Sequence, residues 1–200
     1  LLGKIAAASG IAHQNTLTGF KWISRVPGLV YGYEEAIGFC VDPSYVRDKD
    51  GITASTKLAA FAADLKEQGL NLQDKLDQLA LAFGLHATAP LTIRVEDLSL
   101  IAKGMENLRK GGLDQIAGSP VVESADLSKG YKGLPPTDAL LYRTEDDDRV
   151  IVRPSGTEPK LKCYIEVVVP TADGNVSEAR ALAANRLQLI RTDMRAALGI

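Results

Sequence analysis

Cysteine and histidine are scarce in this 200-residue chain. Cys40 and Cys163 are its only cysteines, and they lie too far apart in the sequence to suggest a disulfide framework or a metal cluster. This usage predicts a reduced, cytoplasmic protein in which Cys40, which has no basic neighbour, is a buried structural residue. His13 and His86 have no second metal-ligating residue at a useful spacing, so we assign neither of them a catalytic role.

The chain also lacks a dominant charge and any long apolar run. Its 23 basic and 25 acidic residues give a net charge of −2, which excludes the overall basic field of a nucleic-acid-binding protein. No apolar run approaches the roughly 18 residues of a membrane span. The opening residues, LLGKIAAASG, lack the charged lead and apolar core of a signal peptide. We therefore expect neither nucleic acid nor a membrane among its partners.

What remains is an ordinary globular composition, with 46% hydrophobic and 24% charged residues, in a chain long enough for one large or two small domains. Apolar periodicity and capping residues predict helices and strands in both halves. Helices are predicted at 1–10, 53–69, 71–83 and 98–111, and after a Ser177 cap. Strands are predicted at 29–31, 91–95, 139–143, 149–153 and 160–169. Residues 87–90 show no periodicity and predict a break between two domains.

The sequence Arg-Pro-Ser-Gly-Thr-Glu-Pro-Lys, from Arg153 to Lys160, carries the strongest chemical signal. An arginine fork, two hydroxyl groups and a glycine that lets backbone N–H groups turn inward are suited to an oxyanion. Prolines at both ends stiffen the segment. It is not a nucleotide-type phosphate loop, because the Lys-Ser/Thr spacing and the following helix are missing. Composition alone favours a polar hairpin turn, because Ser, Gly, Thr and Pro are the residues that turns use.

The longer stretch RPSGTEPKLKCY, residues 153–164, resembles the phosphate-binding loop of the α-D-phosphohexomutase family, which includes phosphoglucomutases and phosphomannomutases. The resemblance implies that Arg153, Ser155, Gly156 and Thr157 hold the phosphate at the non-reacting end of a sugar, with Lys162 as a further ligand. Ser155 has no neighbouring base in the sequence, so we do not propose it as a nucleophile.

The stretch YGYEEAIGF, residues 31–39, resembles the sugar-binding loop in domain 3 of the same family. The resemblance implies that Glu34, with its neighbour Glu35, contacts the substrate. A carboxylate can accept hydrogen bonds from two adjacent sugar hydroxyls. Many members carry Ser where this chain has Ala36, and many carry His near Phe39. Glucose, mannose, glucosamine and a pentose therefore all remain open as the sugar.

Two shorter stretches resemble neighbouring parts of domain 3. TLTGFKWI, residues 16–23, is similar to a turn whose lysine reaches the substrate, which makes Lys21 a candidate for phosphate contact. Without the resemblance, Lys21 would be an exposed lysine between buried aromatic residues. Residues 48–51, DKDG, are similar to the turn that follows the sugar loop, and starting the helix at Thr53 is an equally good role for them.

The family reaction, as the resemblance implies it, transfers phosphoryl groups from a phosphoserine in domain 1, with Mg²⁺ bound by a D-x-D-x-D loop in domain 2. Neither stretch is present in this sequence. The acidic run Glu145–Asp148 consists of adjacent residues, whose side chains point to alternate sides and do not converge on a metal. We predict that this run is a solvated hairpin turn and that the chain carries no catalytic residue and no metal site.

The resemblance implies an α/β domain with a mixed sheet and helices at residues 1–88, which is an incomplete domain 3. It implies an α+β domain with an antiparallel, TATA-box-binding-protein-like sheet at residues 89–200, which is domain 4. The chain would then be the C-terminal portion of a mutase, inactive alone. The missing domains 1 and 2, a phosphosugar, Mg²⁺ and a glucose 1,6-bisphosphate-type activator would complete the enzyme. The alternative is a stand-alone module that binds phosphosugars or other anions without catalysis.

Overall fold

A computed structural model describes residues 1–35, 37–155 and 158–199. Two compact units divide the chain, one formed by Leu2–Gln78 and the other by Leu79–Ile200 with Leu1. Residues 87–90, which we expected to be a break, lie inside a continuous strand. The domain boundary after residue 88 stays a prediction.

The first unit is mainly helical. Its elements are α1 (Leu2–Ala8), α2 (Phe20–Ile23), β1 (Gly32–Glu34), β2 (Gly38–Cys40), α3 (Gly51–Glu67) and α4 (Leu72–Phe83), of which α4 continues into the second unit. Asn71 caps α4, because its side-chain oxygen accepts from the N–H groups of Gln73 and Asp74 at 2.7 and 3.2 Å.

The strand predicted at 29–31 is wrong. Val30 and Tyr31 are 63% and 41% exposed and lie outside any regular element. The strands of this unit begin one residue later, as an antiparallel hairpin of β1 and β2 that pairs Gly32 with Cys40. Three apolar letters without an alternating pattern do not separate a strand from an adjacent loop.

The second unit is a six-stranded antiparallel sheet with two helices on one face. Its elements are β3 (Leu85–Arg94), α5 (Leu98–Gly111), β4 (Gln115–Ile116), β5 (Ser119–Asp126), β6 (Leu140–Thr144), β7 (Arg149–Pro154), β8 (Lys160–Val169) and α6 (Val176–Leu198). The strand order is β3-β8-β7-β6-β5-β4. The sheet therefore places the last strand, β8, beside the first, β3, at one edge. None of the helices in the described part of the chain could cross a bilayer.

Strand β8 confirms the predicted alternation. Its buried side chains face α5 and α6 and form the centre of the main core; they are Leu161, Cys163, Ile165, Val167 and Val169. The alternate residues of β8 point to the other face of the sheet. Towards β5 that other face is covered by the 127–139 loop, which buries Leu127, Ala139 and Leu141. At the end of the sheet where β7 and β8 meet, the same face carries polar side chains.

Two details at the helix ends and turns differ from the sequence predictions. Helix α6 is capped by Asn175, whose side chain accepts from the Glu178 N–H at 3.1 Å, and Ser177 lies inside the helix. The acidic turn between β6 and β7 is exposed at Glu145, Asp146 and Asp147, but Asp148 is fully buried. The prediction of a solvated turn is therefore wrong at Asp148.

Asp148 is buried because it joins three elements. Its Oδ1 accepts from Arg186 Nη1 on α6 at 3.2 Å and from the Val168 N–H on β8 at 3.4 Å. Its own N–H donates to the Thr144 hydroxyl at 3.2 Å. Arg186 lies 38 residues further along the chain, so the sequence around the turn carries no sign of this pair.

Candidate functional site

The segment between β7 and β8 is closed at its base. The Ser155 N–H donates to the Lys160 carbonyl oxygen at 2.8 Å. Pro154 is the last residue of β7, and Pro159 stands directly before β8. The pyrrolidine rings fix φ next to both closing residues, which lowers the entropy that this segment would lose on binding a ligand.

Of the predicted phosphate ligands, the structure describes Arg153, Ser155 and Lys162. Arg153 is the penultimate residue of β7, and Ser155 follows that strand; both are half-buried. Gly156 and Thr157 lie outside the described residues, so their predicted roles stay predictions.

Arg153 and Lys162 are direct cross-strand partners in the β7–β8 pair. Both lie on the face of the sheet opposite α5 and α6, since the neighbouring residues Val152 and Leu161 belong to the main core. Among the described residues, no carboxylate forms an ion pair with either cation. Two like charges directly opposite each other on a sheet are destabilising. An anion bound between them would remove that repulsion.

Glu158 holds the base of the same segment through two further cations. Its carboxylate contacts Lys160 Nζ at 2.5 Å and Arg94 Nη1 at 3.6 Å. The hydrogen bond from Lys160 is the main reason why the pKa of Glu158 is lowered, with the charges of Lys160, Arg94 and Lys162 adding to it. Arg94 and Lys160 are register partners on β3 and β8. The sequence analysis named neither residue as a candidate ligand. Arg94 comes next to this segment only through the strand order.

This end of the sheet therefore carries an excess of positive charge: four cations surround one carboxylate, and they are Arg94, Arg153, Lys160 and Lys162. Guanidinium and ammonium groups are suited to a phosphate dianion. No base that could activate Ser155 contacts it among the described residues. The arrangement of the described residues can hold an anion.

In the first unit, the hairpin of β1 and β2 brings Glu34 beside Lys49. Glu34 is paired with Gly38, and a Cβ at Gly38 would lie only 2.9 Å from Glu34 Cγ, 2.8 Å from Lys49 Cδ and 2.7 Å from Phe20 Cε2. The absence of a side chain at Gly38 thus lets these three side chains converge. Lys49 Nζ lies 4.9 Å from the centroid of the Phe20 ring. Lys49 is a candidate site residue that the sequence analysis did not single out.

The other predicted residues of this unit are exposed. Glu35 follows β1 at the turn, and Lys21 lies on α2 with its Nζ 5.6 Å from the Trp22 ring centroid. No hydrogen bond or ion pair among the described residues joins Lys21 to Glu34. The substrate contacts proposed for Lys21 and Glu35 stay predictions.

The Asp48–Gly51 turn starts helix α3, as predicted. The Asp50 carboxylate accepts from the Ile52 and Thr53 N–H groups at 3.1 and 3.3 Å, and its own N–H donates to the Phe39 carbonyl oxygen at 2.9 Å. The hydrogen bond from the Thr53 hydroxyl is the main cause of the lowered pKa of Asp50. The turn thereby ties α3 to β2, next to Lys49.

His86 and Glu166 form a polar pair on β3 and β8. His86 Nδ1 lies 3.1 Å from Glu166 Oε1, and Arg149 Nη2 lies 2.9 Å from Glu166 Oε2. The hydrogen bond with His86 is the main cause that lowers the pKa of Glu166 to about 2, against the effect of burial. No group of three or more His, Cys, Asp or Glu side chains within residues 1–35, 37–155 and 158–199 could hold a metal ion.

Two family models match the chain, one for each loop described above. The model of the phosphoglucomutase/phosphomannomutase alpha/beta/alpha domain III matches residues 1–82, which contain the β1–β2 hairpin. The model of the phosphoglucomutase/phosphomannomutase C-terminal domain matches residues 93–184, which contain the β7–β8 segment. The chain belongs to the phosphoglucomutase/phosphomannomutase family. The two matches also confirm the expected fold class, an α/β region followed by an antiparallel α+β domain.

The chain is also similar to individual members of the phosphoglucomutase/phosphomannomutase family. A probable phosphomannomutase of Haemophilus influenzae is 42% identical over 82% of this chain and 33% of its own length. A phosphopentomutase of Homo sapiens is 29% identical over 90% of this chain and 33% of its own, and a phosphoglucomutase of Staphylococcus aureus is 27% identical over 91% and 36%.

A solved structure shares the fold. The open form of the Paramecium exocytosis-sensitive phosphoprotein parafusin, a phosphoglucomutase, superposes with a TM-score of 0.67 and 22% identity, over all of this chain and 37% of that one. The chain thus spans about a third of the length of the curated relatives it matches. Those relatives are named as mutases, so the family is one of enzymes.

Proposed function

We propose that this chain is the sugar- and phosphate-recognition portion of a phosphohexomutase. The parent enzyme interconverts a hexose 1-phosphate and the 6-phosphate through a phosphoserine and a bisphosphorylated sugar. This portion binds the substrate and is inactive alone. It requires the N-terminal domains 1 and 2 for the chemical step.

The observation that carries the proposal is the facing pair Arg153 and Lys162, two half-buried cations without a carboxylate partner among the described residues. In this role Arg153 donates a fork of N–H groups to the phosphate, and Lys162 supplies a second positive charge. The Ser155 hydroxyl donates a neutral hydrogen bond, and Gly156 and Thr157 complete the loop. Glu158, held by Lys160 and Arg94, keeps the base of the segment in place.

Glu34 binds the sugar in this proposal. Its carboxylate accepts hydrogen bonds from two neighbouring hydroxyls. Lys49, whose Nζ pairs with Asp48 Oδ1 at 3.1 Å, adds a positive charge close to the hairpin. Glu35, at the exposed turn of the same hairpin, and Lys21, exposed on α2, are additional contacts in this proposal. No step of catalysis falls to these residues, because none of them is placed against a base or nucleophile.

The parent enzyme would use Mg²⁺ to neutralise the charge of the transferred phosphoryl group, with a glucose 1,6-bisphosphate-type activator. The donors in the described part of this chain do not fit that ion, since no cluster of carboxylates, histidines or cysteines forms. We therefore place the magnesium site outside this chain and derive no step through it.

Calorimetric titration of the chain with glucose 6-phosphate and with mannose 6-phosphate tests the binding role. Arg153→Gln removes a charge-assisted hydrogen bond worth about 1.5–3 kcal/mol, so we expect at least a tenfold loss of affinity. Arg143→Gln is the matched control, because Arg143 is an arginine of the neighbouring strand β6 whose partner is Glu123. Equal affinities for the two variants would contradict the assignment of Arg153.

A coupled assay of the same chain tests its proposed inactivity. With glucose 1-phosphate or mannose 1-phosphate, and with Mg²⁺ and glucose 1,6-bisphosphate added, we expect no 6-phosphate product. Turnover by the isolated chain would disprove the requirement for further domains. Binding without turnover after addition of the N-terminal domains would favour a stand-alone phosphosugar-binding module instead.

A further inference from the structure

A groove of about 440 Å³ lies between the free edge of β3 and helix α6. Arg153 and Lys162 project from the face of the sheet opposite the helices, whereas the groove is on the helical side of the edge strand. The groove reaches the neighbourhood of that segment only at Thr92, which is the register partner of Lys162. Its lining is mostly polar, and the residues are Pro90, Leu91, Thr92, Gln188, Arg191, Thr192 and Arg195.

The groove contains two arginines and no carboxylate. Arg191 and Arg195 are one helical turn apart on α6, where like charges repel each other. Neither forms an ion pair with any described residue. The nearest acidic residue of the helix, Asp193, is engaged elsewhere, since its carboxylate accepts from the Ala117 N–H at 2.7 Å. The positive charge of the groove is therefore not balanced by the protein itself.

Two acceptors in the groove, Gln188 Oε1 and the Pro90 carbonyl oxygen, are already occupied, and several donors remain. Arg191 donates through Nη1 to Gln188 Oε1 at 2.9 Å and through Nη2 to the Pro90 carbonyl oxygen at 3.3 Å. These two bonds fix the guanidinium and leave its other N–H groups for a ligand. The N–H and carbonyl of a residue in an antiparallel strand point to the same side, and alternate residues repeat that direction. Because the Pro90 carbonyl points outward from the sheet, the Thr92 N–H also points to the free edge.

We propose that this groove is a second anion-binding site, which takes a phosphate dianion, either free or as the monoester of a small molecule. Arg195 and the pre-fixed Arg191 supply the charge, and the Thr92 N–H supplies a neutral donor. Two guanidinium groups without a counter-charge suit a doubly charged ligand such as phosphate better than a singly charged ligand such as a carboxylate. The volume of the groove admits a phosphorylated metabolite. The site is independent of the proposed mutase function, since it shares no residue with the Arg153 segment.

Titration of the ¹⁵N-labelled chain with inorganic phosphate, followed by amide chemical shifts at constant ionic strength, tests the proposal. The experiment uses the Arg153→Gln chain, so that binding at the β7–β8 segment does not mask the second site. We expect the Thr92, Arg191 and Arg195 amides to shift together along one saturating curve. A parallel titration with glycerol 3-phosphate shows whether a monoester binds more tightly than the free ion.

Arg195→Gln, an exposed substitution, should weaken this binding about tenfold or more, because a charge-assisted bond is lost. Lys103→Gln is the matched control, as it removes one positive charge from an exposed position on α5 and should leave the curve unchanged. Unmoved resonances at Thr92 and Arg195, or equal affinities in the two variants, would overturn the proposal. Failure here with normal glucose 6-phosphate binding in the unsubstituted chain would leave the mutase proposal intact.

Discussion

The Arg186 guanidinium lies 3.2 Å from Oδ1 of Asp148, a carboxylate with no exposed surface. The other carboxylate oxygen, Oδ2, has no hydrogen-bond partner among the described residues. Replacing Arg186 by Met therefore leaves a buried negative charge without compensation, and we expect a loss of about 3 kcal/mol in the free energy of unfolding. Asp148→Asn should cost less, because an amide carries no charge to desolvate. Urea denaturation at neutral pH measures both, and an Arg186→Met chain at least as stable as Asp148→Asn would contradict the argument.

Asp148 should also make the free energy of unfolding depend on pH. Burial is the largest cause that raises its pKa, and the nearby Arg186 only partly opposes it. The folded state then binds a proton that the unfolded state has released, so the free energy of unfolding decreases as the pH rises through the raised pKa. Thermal melts across the mildly acidic range should show this slope, and Asp148→Asn should abolish it. An unchanged slope in that variant would assign the effect to another group.

Glu166 should have the opposite effect on the free energy of unfolding, which it makes increase with pH in a more acidic range. Its folded-state pKa is about 2 against an ordinary value of 4.5, first because of the His86 hydrogen bond and then because of Arg149. The stability that this contributes is present above pH 4.5 and is lost as the pH falls towards 2, with a total of about 3 kcal/mol. Glu166→Gln should remove this acid sensitivity, and Glu96→Gln, at an exposed position, should retain it. Parallel acid unfolding curves for the two variants would refute the prediction.

Gly38 should tolerate no larger residue. A Cβ there would meet Phe20, Lys49 and Glu34 at distances below 3.0 Å, so Gly38→Ala must displace side chains of the hairpin. We expect a loss of about 1–3 kcal/mol and a weaker affinity for glucose 6-phosphate. Gly51→Ala is the control, since nothing lies within 4 Å of a Cβ at that position. Equilibrium denaturation and calorimetry of both variants provide the comparison.

Cys163 should be inert in the folded protein. Burial raises the pKa of its thiol to about 12, so almost no thiolate exists near neutral pH. In a Cys40→Ser chain, alkylation by iodoacetamide should require unfolding and should accelerate in denaturant. Rapid labelling under native conditions would mean that β8 opens locally far more often than its position between β3 and β7 suggests.

Much of the fold follows from local patterns in the sequence. The helices α3, α4 and α5 have regular apolar spacing and clear stop signals, and β8 alternates strictly along its whole length. By contrast, β4 has two residues and β5 places polar side chains at many positions, so neither produced a usable signal. The prediction of a solvated acidic turn is wrong at Asp148 for another reason. Asp148 pairs with Arg186 on helix α6, far along the chain.

The residues of the candidate site also fall into those that the sequence indicates and those that only the fold brings together. Arg153 and Lys162 could be chosen as candidates from the sequence because one contiguous stretch holds both of them. Arg94 joins them only because β3 pairs with β8, and Lys49 joins Glu34 only because Gly38 leaves room. Such contacts depend on the strand order and on a missing side chain, and neither of these is encoded in the spacing of the residues concerned.

Pro90 has a consequence for the behaviour of the protein at high concentration. It lies midway along β3, which has a strand on one side only in the described part of the sheet. It has no N–H to offer to an incoming strand, and its carbonyl is occupied by Arg191. A long bare edge normally invites intermolecular pairing and amyloid-like growth. Here the hydrogen-bond ladder that a second molecule would need is interrupted at its centre, so the proline and the guanidinium together disfavour strand pairing along this edge.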